Sequence, residues 1–309
     1  MPFFSCTVED SIPSALRLDR YIAEYLKILT RSQIKARELK ALLNGKAVKN
    51  SRLLKAGDSL ELSWNKAESP FLIPQNLPLD IIYEDDKVIV LNKAQGMVVH
   101  PGAGNWQGTL ANALLFRFLD NSSHVETLNM EGHGFRPGIV HRLDKDTSGV
   151  MIAAWDEEAL TFLSGQFKGR KVRKTYAALV HGCPKDKQGL IDKKIIRSAR
   201  DRKTFTVSDK YGRPCLTSFR LVRSYGNYSL LLLRPKTGRT HQLRVHLKYL
   251  GNPILGDPVY GRIDSGFPKA TLMLHAKSLS LILPGKCKRK KFQTQLPDRF
   301  KEIFRVLKK

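Results

Sequence analysis

The apolar residues of this chain come in short blocks closed by turn-forming residues: Val88 to Leu91, Val150 to Ala154, Tyr176 to Val180, Phe219 to Val222 and Ser229 to Leu233. Blocks of that length predict strands buried in a sheet. Helical periodicity runs over Leu110 to Leu119, Glu157 to Phe167 and Thr240 to Leu250. Lys210-Tyr211-Gly212 and Tyr225-Gly226-Asn227 read as hairpin turns. Together these predict an α+β fold, a mixed and largely antiparallel central sheet flanked by helices. No block approaches the ~20 apolar positions of a membrane helix, so the chain is not expected to enter a membrane.

The first 66 residues form a separate pattern. Leu16, Leu18, Tyr21, Ile22, Tyr25 and Leu26 recur at helical spacing. Thr30 or Ser32 could cap a second helix through Ile34 to Leu43, with Gly45 just beyond it. Asn44-Gly45 turns the chain into a short strand at Ala47-Val48, and Leu60, Leu62 and Trp64 alternate as another strand. A small α/β module is expected over residues 1–66. Lys66 to Pro78 carries three prolines and reads as a linker, with the main domain running over residues 79–309.

Charge narrows the partner. The 309 residues hold 53 Lys and Arg against 28 Asp and Glu, a formal charge of +25. Self-repulsion of that size opposes compaction, so it points to a polyanionic partner, nucleic acid before membrane. Cys6, Cys183, Cys215 and Cys287 are scattered without the paired spacing of a zinc site or disulfide framework, as in a reducing cytoplasm. No phosphate-loop or dinucleotide pattern appears, so neither a cofactor nor a metal is expected.

Two segments concentrate polar chemistry beside apolar strands. Gly138 to Val150 packs His141, Arg142, Asp144, Asp146, Thr147 and Ser148 into a few residues. Such density is costly unless the groups are paired or used. Either an aspartate bonds backbone amides in a turn, or a carboxylate is held ready for chemistry. In Arg234 to Leu247, Gly238 allows a tight turn and Thr240 can cap the next helix, placing Thr240, His241 and Arg244 on one face and Gly251 at its end. Arg244 is then a precise partner for a carboxylate or, more blandly, a phosphate contact. Tyr176 begins a strand, where it packs or stacks on a base. The basic cluster Lys286 to Lys291 is a solvated loop or a further RNA contact.

These segments carry a resemblance. Arg17-Leu18-Asp19-Arg20-Tyr21-Ile22, Thr30 to Lys35 and Leu43 to Asn50 resemble the small RNA-binding domain first named from ribosomal protein S-four. The stretch His141-Arg142-Leu143-Asp144 with Thr147-Ser148-Gly149 resembles the catalytic loop of the RluA-type pseudouridine synthases. So do Asn92-Lys93 with Gly96 to Pro101, Lys174-Thr175-Tyr176, Thr237 to His246 with Gly251 to Asp257, and Leu274-His275-Ala276. Ala94 stands where that family usually has proline.

The resemblance implies an RNA uridine-to-pseudouridine isomerase with the pseudouridine synthase fold. The substrate implied is large-subunit ribosomal RNA or its precursor particle, and the chain is expected to act as a monomer. The reaction breaks the N1–C1′ bond, turns the base and rejoins it through C5, without redox cofactor or nucleotide. The resemblance makes Asp144 the catalytic carboxylate, a role carboxylates also play at glycosidic carbons. It makes Arg244 the partner of Asp144, and Tyr176 the group that stacks on uracil and helps remove the C5 proton. Arg142 would fill the space the flipped base vacates. Arg17, Arg20, Arg31, Lys35, Lys46 and Arg239 would bind RNA, and the histidines are expected to pack rather than act as bases. A catalytically silent RNA-binding or ribosome-assembly protein on the same fold is the rival reading, and a metal-dependent nuclease lacks the carboxylate clusters it would need.

Overall fold

A computed structural model describes residues 2–13, 15–65, 72–102, 104–120, 138–201 and 204–308. The chain divides into two compact units, Met1–Phe71 and Leu72–Lys309. The expected linker falls partly on residues 66–71, which lie outside the described residues.

The first unit is a four-stranded antiparallel sheet in the order β1 (Phe3–Thr7), β4 (Ser59–Ser63), β2 (Lys40–Leu43), β3 (Lys46–Val48). Asn44 and Gly45 join β2 to β3 at φ +50° and +76°, the positive pair that matches strand twist in a two-residue hairpin. A helical turn, α1 (Leu18–Arg20), runs on as a π-helical turn over Tyr21–Tyr25. Helix α2 (Arg31–Ala36) starts with a capping box: the Gln33 amide donates to the Thr30 hydroxyl, and the Thr30 amide to the Gln33 side chain. Leu18, Ile22, Leu60 and Leu62 are fully buried. The expected helix to Leu43 stops early. Glu38 turns to φ +49°, and Leu39, Ala41 and Leu43 bury alternate positions as a strand does.

The second unit carries a ten-stranded sheet. Its strands are β5 (Ile81–Glu84), β6 (Val88–Lys93), β7 (Ser148–Ala154), β8 (Arg173–His181), β9 (Gln188–Arg197), β10 (Phe205–Ser208), β11 (Arg213–Tyr225), β12 (Tyr228–Pro235), β13 (Leu274–Ile282) and β14 (Arg289–Gln293). They lie in the order β10-β9-β11-β12-β8-β13-β7-β6-β5, with β14 also paired to β13. Among these described strands only the β13–β7 pair is parallel. The sheet is therefore mixed and mostly antiparallel. The turn at Tyr225 to Asn227 joins β11 to β12 as a hairpin. Lys210 to Gly212 does not make one, because β10 and β11 both pair with β9 and lie on either side of it. The basic cluster partly joins the sheet as β14.

Helices cover both faces. Ile89, Leu91 and Met151 pack with α3 (Leu110–Asp120), while Val88, Val90 and Ile152 pack with α4 (Glu157–Lys168). Strands buried on both sides must be apolar throughout, which is why β6 and β7 read as unbroken blocks. Each buried aliphatic there contributes about 1.5–3 kcal/mol. Helices α5 (Gln242–Tyr249) and α6 (Asp298–Leu307) contribute Leu243, Leu247, Phe300 and Ile303 to a third core with Leu179, Leu231 and Leu233. At Gly149 the backbones of β7 and β13 meet so closely that a Cβ would lie 2.3 Å from the Ala276 carbonyl oxygen.

Candidate active site

A cleft of about 530 Å³ opens in the second unit between the loop before β7, the end of α4, the start of β8 and the turn into α5. Asp144, Tyr176 and Arg244, from three different elements, all line it.

Asp144 sits in a turn closed by the Thr147 amide donating to its carbonyl at 3.1 Å. Three groups clamp this loop. Lys93 Nζ, fully buried, donates to the carbonyls of Lys145, Ala94 and Met97 at 3.0, 2.7 and 2.8 Å. The Gly96 amide also reaches the Lys145 carbonyl. Gln95 Nε2 donates to the carbonyls of Asp146 and Leu272. Burial pushes the Lys93 ammonium down to about 8, against the pull of Asp146 and Asp144. With the turn held by backbone and by these neighbours, neither aspartate carboxylate is spent on a backbone amide among the described residues, so the turn-capping reading of Asp144 and Asp146 does not describe this loop.

Arg244 Nε and Nη2 donate to both carboxylate oxygens of Asp257 at 2.8 and 2.7 Å, a bidentate fork buried on both sides. That leaves Nη1, which stands 3.8 Å from Asp144 Oδ2. Asp257 also accepts the amides of Val259 and Tyr260, and Arg244 holds its carboxyl below the usual range despite burial. Asp257 was legible only as one residue of a motif, since a partner thirteen positions away leaves no local signal.

Helix α5 begins later than the sequence implied. Thr240 does not cap it; His241 is the N-cap, at φ +55° with no side-chain cap bond, and Thr240 falls outside the helix. A non-glycine residue in that region costs roughly 1–2 kcal/mol. The turn is fixed instead by Gln242, whose side-chain oxygen accepts from the Thr237 hydroxyl and the Arg239 amide. Gly251, at φ +83°, closes the helix. The strained backbone brings His241 Nε2 to 4.0 Å from Asp144 Oδ2, with Nδ1 2.9 Å from the Tyr260 hydroxyl. Burial holds this imidazole below its usual value, against the pull of Asp144.

Tyr176 is desolvated at the start of β8, and burial with the nearby Asp144 charge drives its phenol far above the usual value. It therefore keeps its proton at neutral pH. His141 lies in the cleft wall stacked on Phe167, with ring centroids 4.5 Å apart, and accepts the Ile152 amide. Burial holds His141 down to about 3, so it is a neutral packing group. His246 and His275, both buried and hydrogen-bonded to threonine hydroxyls, are each held down to about 4 by burial.

The cleft is strongly positive. Arg142, Lys168, Arg170, Lys174, Lys236, Arg239 and Arg244 line it, and among the described residues Asp144 is the single carboxylate set against them. Arg142 and Arg239 are exposed. The other expected RNA contacts belong to the first unit. Arg17 and Arg31 both hold Asp19, at 3.0 and 2.8 Å, and Arg20 holds Glu24. Lys35 and Lys46 are exposed and make no ion pair among the described residues.

Residues 87–249 match the family model for RNA pseudouridylate synthase. The ribosomal large subunit pseudouridine synthase D of Borreliella burgdorferi is 46% identical over 295 residues, covering 93% of this chain and 88% of that protein. An uncharacterised RNA pseudouridine synthase of Chlorobaculum parvum is 42% identical, covering 81% of this chain and 76% of its own length. Among solved structures, human RNA pseudouridylate synthase domain containing 1 aligns with a TM-score of 0.57 at 27% identity, over 76% of this chain and 96% of that one.

Proposed function

The chain belongs to the RNA pseudouridylate synthase family, and from that premise we propose that it isomerises uridines of large-subunit ribosomal RNA to pseudouridine with Asp144 as the catalytic carboxylate. The observation that carries the role of Asp144 is its unspent carboxylate, the only one among the described residues of a cleft lined by seven cations. Carboxylates stabilise or attack electron-poor sugar carbons, and Asp144 is held for that work by Arg244 Nη1 on one side and a clamped loop on the other.

Arg244 positions rather than reacts, because Asp257 takes two of its donors and fixes the plane of the third. Tyr176 offers a flat face on which uracil stacks. A phenol that keeps its proton is a poor base, which favours stacking over proton removal. Arg142, exposed beside the loop, is placed to enter the duplex as the base leaves. Arg239 contacts the backbone at the mouth of the cleft.

The first unit acts as the S-four type RNA-binding module. Its exposed Lys35 and Lys46 meet phosphate first, and the arginines follow on exchange of their acid partners. A ribosomal RNA substrate favours a cytoplasmic location.

The test is tritium release from C5-labelled uridine in a large-subunit ribosomal RNA transcript. The native protein releases tritium and Asp144→Asn does not, while both bind the RNA equally. Equal release by Asp144→Asn removes the carboxylate mechanism. No release by either, on transcript and on RNA from cells lacking the gene, replaces the enzyme with a silent RNA-binding protein.

A further inference from the structure

The cations of the cleft are not alike. Arg244 is committed to carboxylates, and Arg142, Lys168, Arg170, Lys236 and Arg239 stand in water. Lys174 is recessed. Its ammonium makes one hydrogen bond among the described residues, to the Thr237 carbonyl at 3.4 Å, a length at which such a bond is weak. An ammonium has three donors, and withdrawing it from water without partners is costly. No carboxylate among the described residues offsets that cost: burial alone depresses Lys174, with no acid acting on it. The neighbouring surface is bare backbone, since a Cβ built on Gly238 would come within 3.5 Å of Lys174 Nζ.

Position gives these unused donors a meaning. Lys174 and Tyr176 are two residues apart on β8, so both side chains leave the same face, about 6.6 Å apart along the strand. That is the reach of a single nucleotide from base to phosphate. We propose that Lys174 is an anion-binding residue for the phosphodiester beside the extruded uridine, whose base lies on Tyr176. The Gly238 turn leaves room for the phosphate oxygens, and the ammonium exchanges one weak carbonyl contact for charge-assisted bonds to a full negative charge.

The assignment rests on the reading of this cleft as the uridine site. Its experiment therefore starts from an RNA oligonucleotide on which the native protein releases tritium; failure at that stage counts against the uridine reading and not against Lys174. The phosphodiesters on either side of the target are then replaced singly by neutral methylphosphonates. Native protein, Lys174→Met and Lys174→Arg are compared by kcat/KM. Lys174→Met should lose about ten- to hundredfold on ordinary RNA and nothing further on one of the two methylphosphonate RNAs. Lys174→Arg should retain most activity. The proposal is overturned if Lys174→Met loses the same factor on all three RNAs, or none on ordinary RNA. If Lys174→Met does not fold, the native protein decides: one methylphosphonate must lower its own kcat/KM by that factor, and tolerance of both overturns the assignment.

Discussion

At the scale of single residues, the site is built on buried pairing more than on the groups that meet substrate. Without Asp257, whose side chain is wholly inaccessible, buried Arg244 would keep only the Asp144 carboxylate at 3.8 Å and lose both bonds of its fork. Asp257→Ala should therefore cost about 3–5 kcal/mol in urea denaturation at pH 7 and lower turnover, since Nη1 loses its fixed aim. The pH dependence follows from the sign of the shift. Arg244 holds Asp257 below its unfolded value, so the unfolded chain binds its proton first on acidification. The stabilisation is complete above about pH 4 and is lost as pH falls through the folded value. Asp257→Ala should lack that component of acid sensitivity. Asp144 and Arg244 were legible as candidates because each sits in a dense polar segment, whereas Tyr176, opening an apolar strand, was singled out only by the motif resemblance. Lys93 was not legible as a clamp, because the Lys145 carbonyl it grips is 52 residues away. The cap position of His241 was hidden for another reason: Thr240, one residue earlier, is the stronger N-cap residue by propensity, although histidine is among the residues that reach the left-handed region.

At the scale of elements, what was legible follows burial. The apolar blocks became β6, β7, β8, β12 and part of β11, and the periodic stretches became α3, α4 and, starting two residues later, α5. Strands that are wet on one side, such as β9 with Leu190 exposed and Ile191 buried, gave no block to notice. The first unit shows the opposite failure, where a single helix through Ile34 to Leu43 was expected, but the helix ends at Ala36 and the segment continues as β2. The loop carrying Asp144 owes its place to the junction of β7 with β13. Gly149 occupies φ +122° there, against the Ala276 backbone. Gly149→Ala must push apart a parallel strand pair, and we expect a loss of at least about 2 kcal/mol in thermal or chemical denaturation. Activity should fall further than stability, because the turn holding Asp144 begins five residues earlier. Unchanged stability would mean that β13 yields more easily than its paired backbone suggests.

For the whole molecule, charge sets the conditions of work. His141, His246 and His275 are kept neutral by burial, at about 3, 4 and 4. Unfolded, they take up protons near pH 6.5. The unfolded state therefore binds more protons between that pH and the folded values, and stability falls as pH drops through that window. Each contributes a slope of up to about 1.4 kcal/mol per pH unit, so denaturation midpoints should decline steadily from pH 7 to pH 4. His246→Gln should remove about one such slope. Removing residues 1–66 tests the division of binding between the units. The salt dependence of RNA affinity should flatten by about 0.7–0.9 for each phosphate the shortened chain no longer neutralises, or by about 1.5 if Lys35 and Lys46 each neutralise one; an unchanged slope would give the first unit another task. The positive cleft has a further consequence, which concerns leaving rather than arriving. Isomerisation alters neither the charge of the nucleotide nor its phosphates, so the field that draws uridine in grips pseudouridine just as firmly. Departure must then be driven from the RNA side, by the new base returning to its stack. A loosely structured target would dissociate more slowly than one with a helix waiting to close, and in multiple-turnover assays the enzyme would stall on its own product.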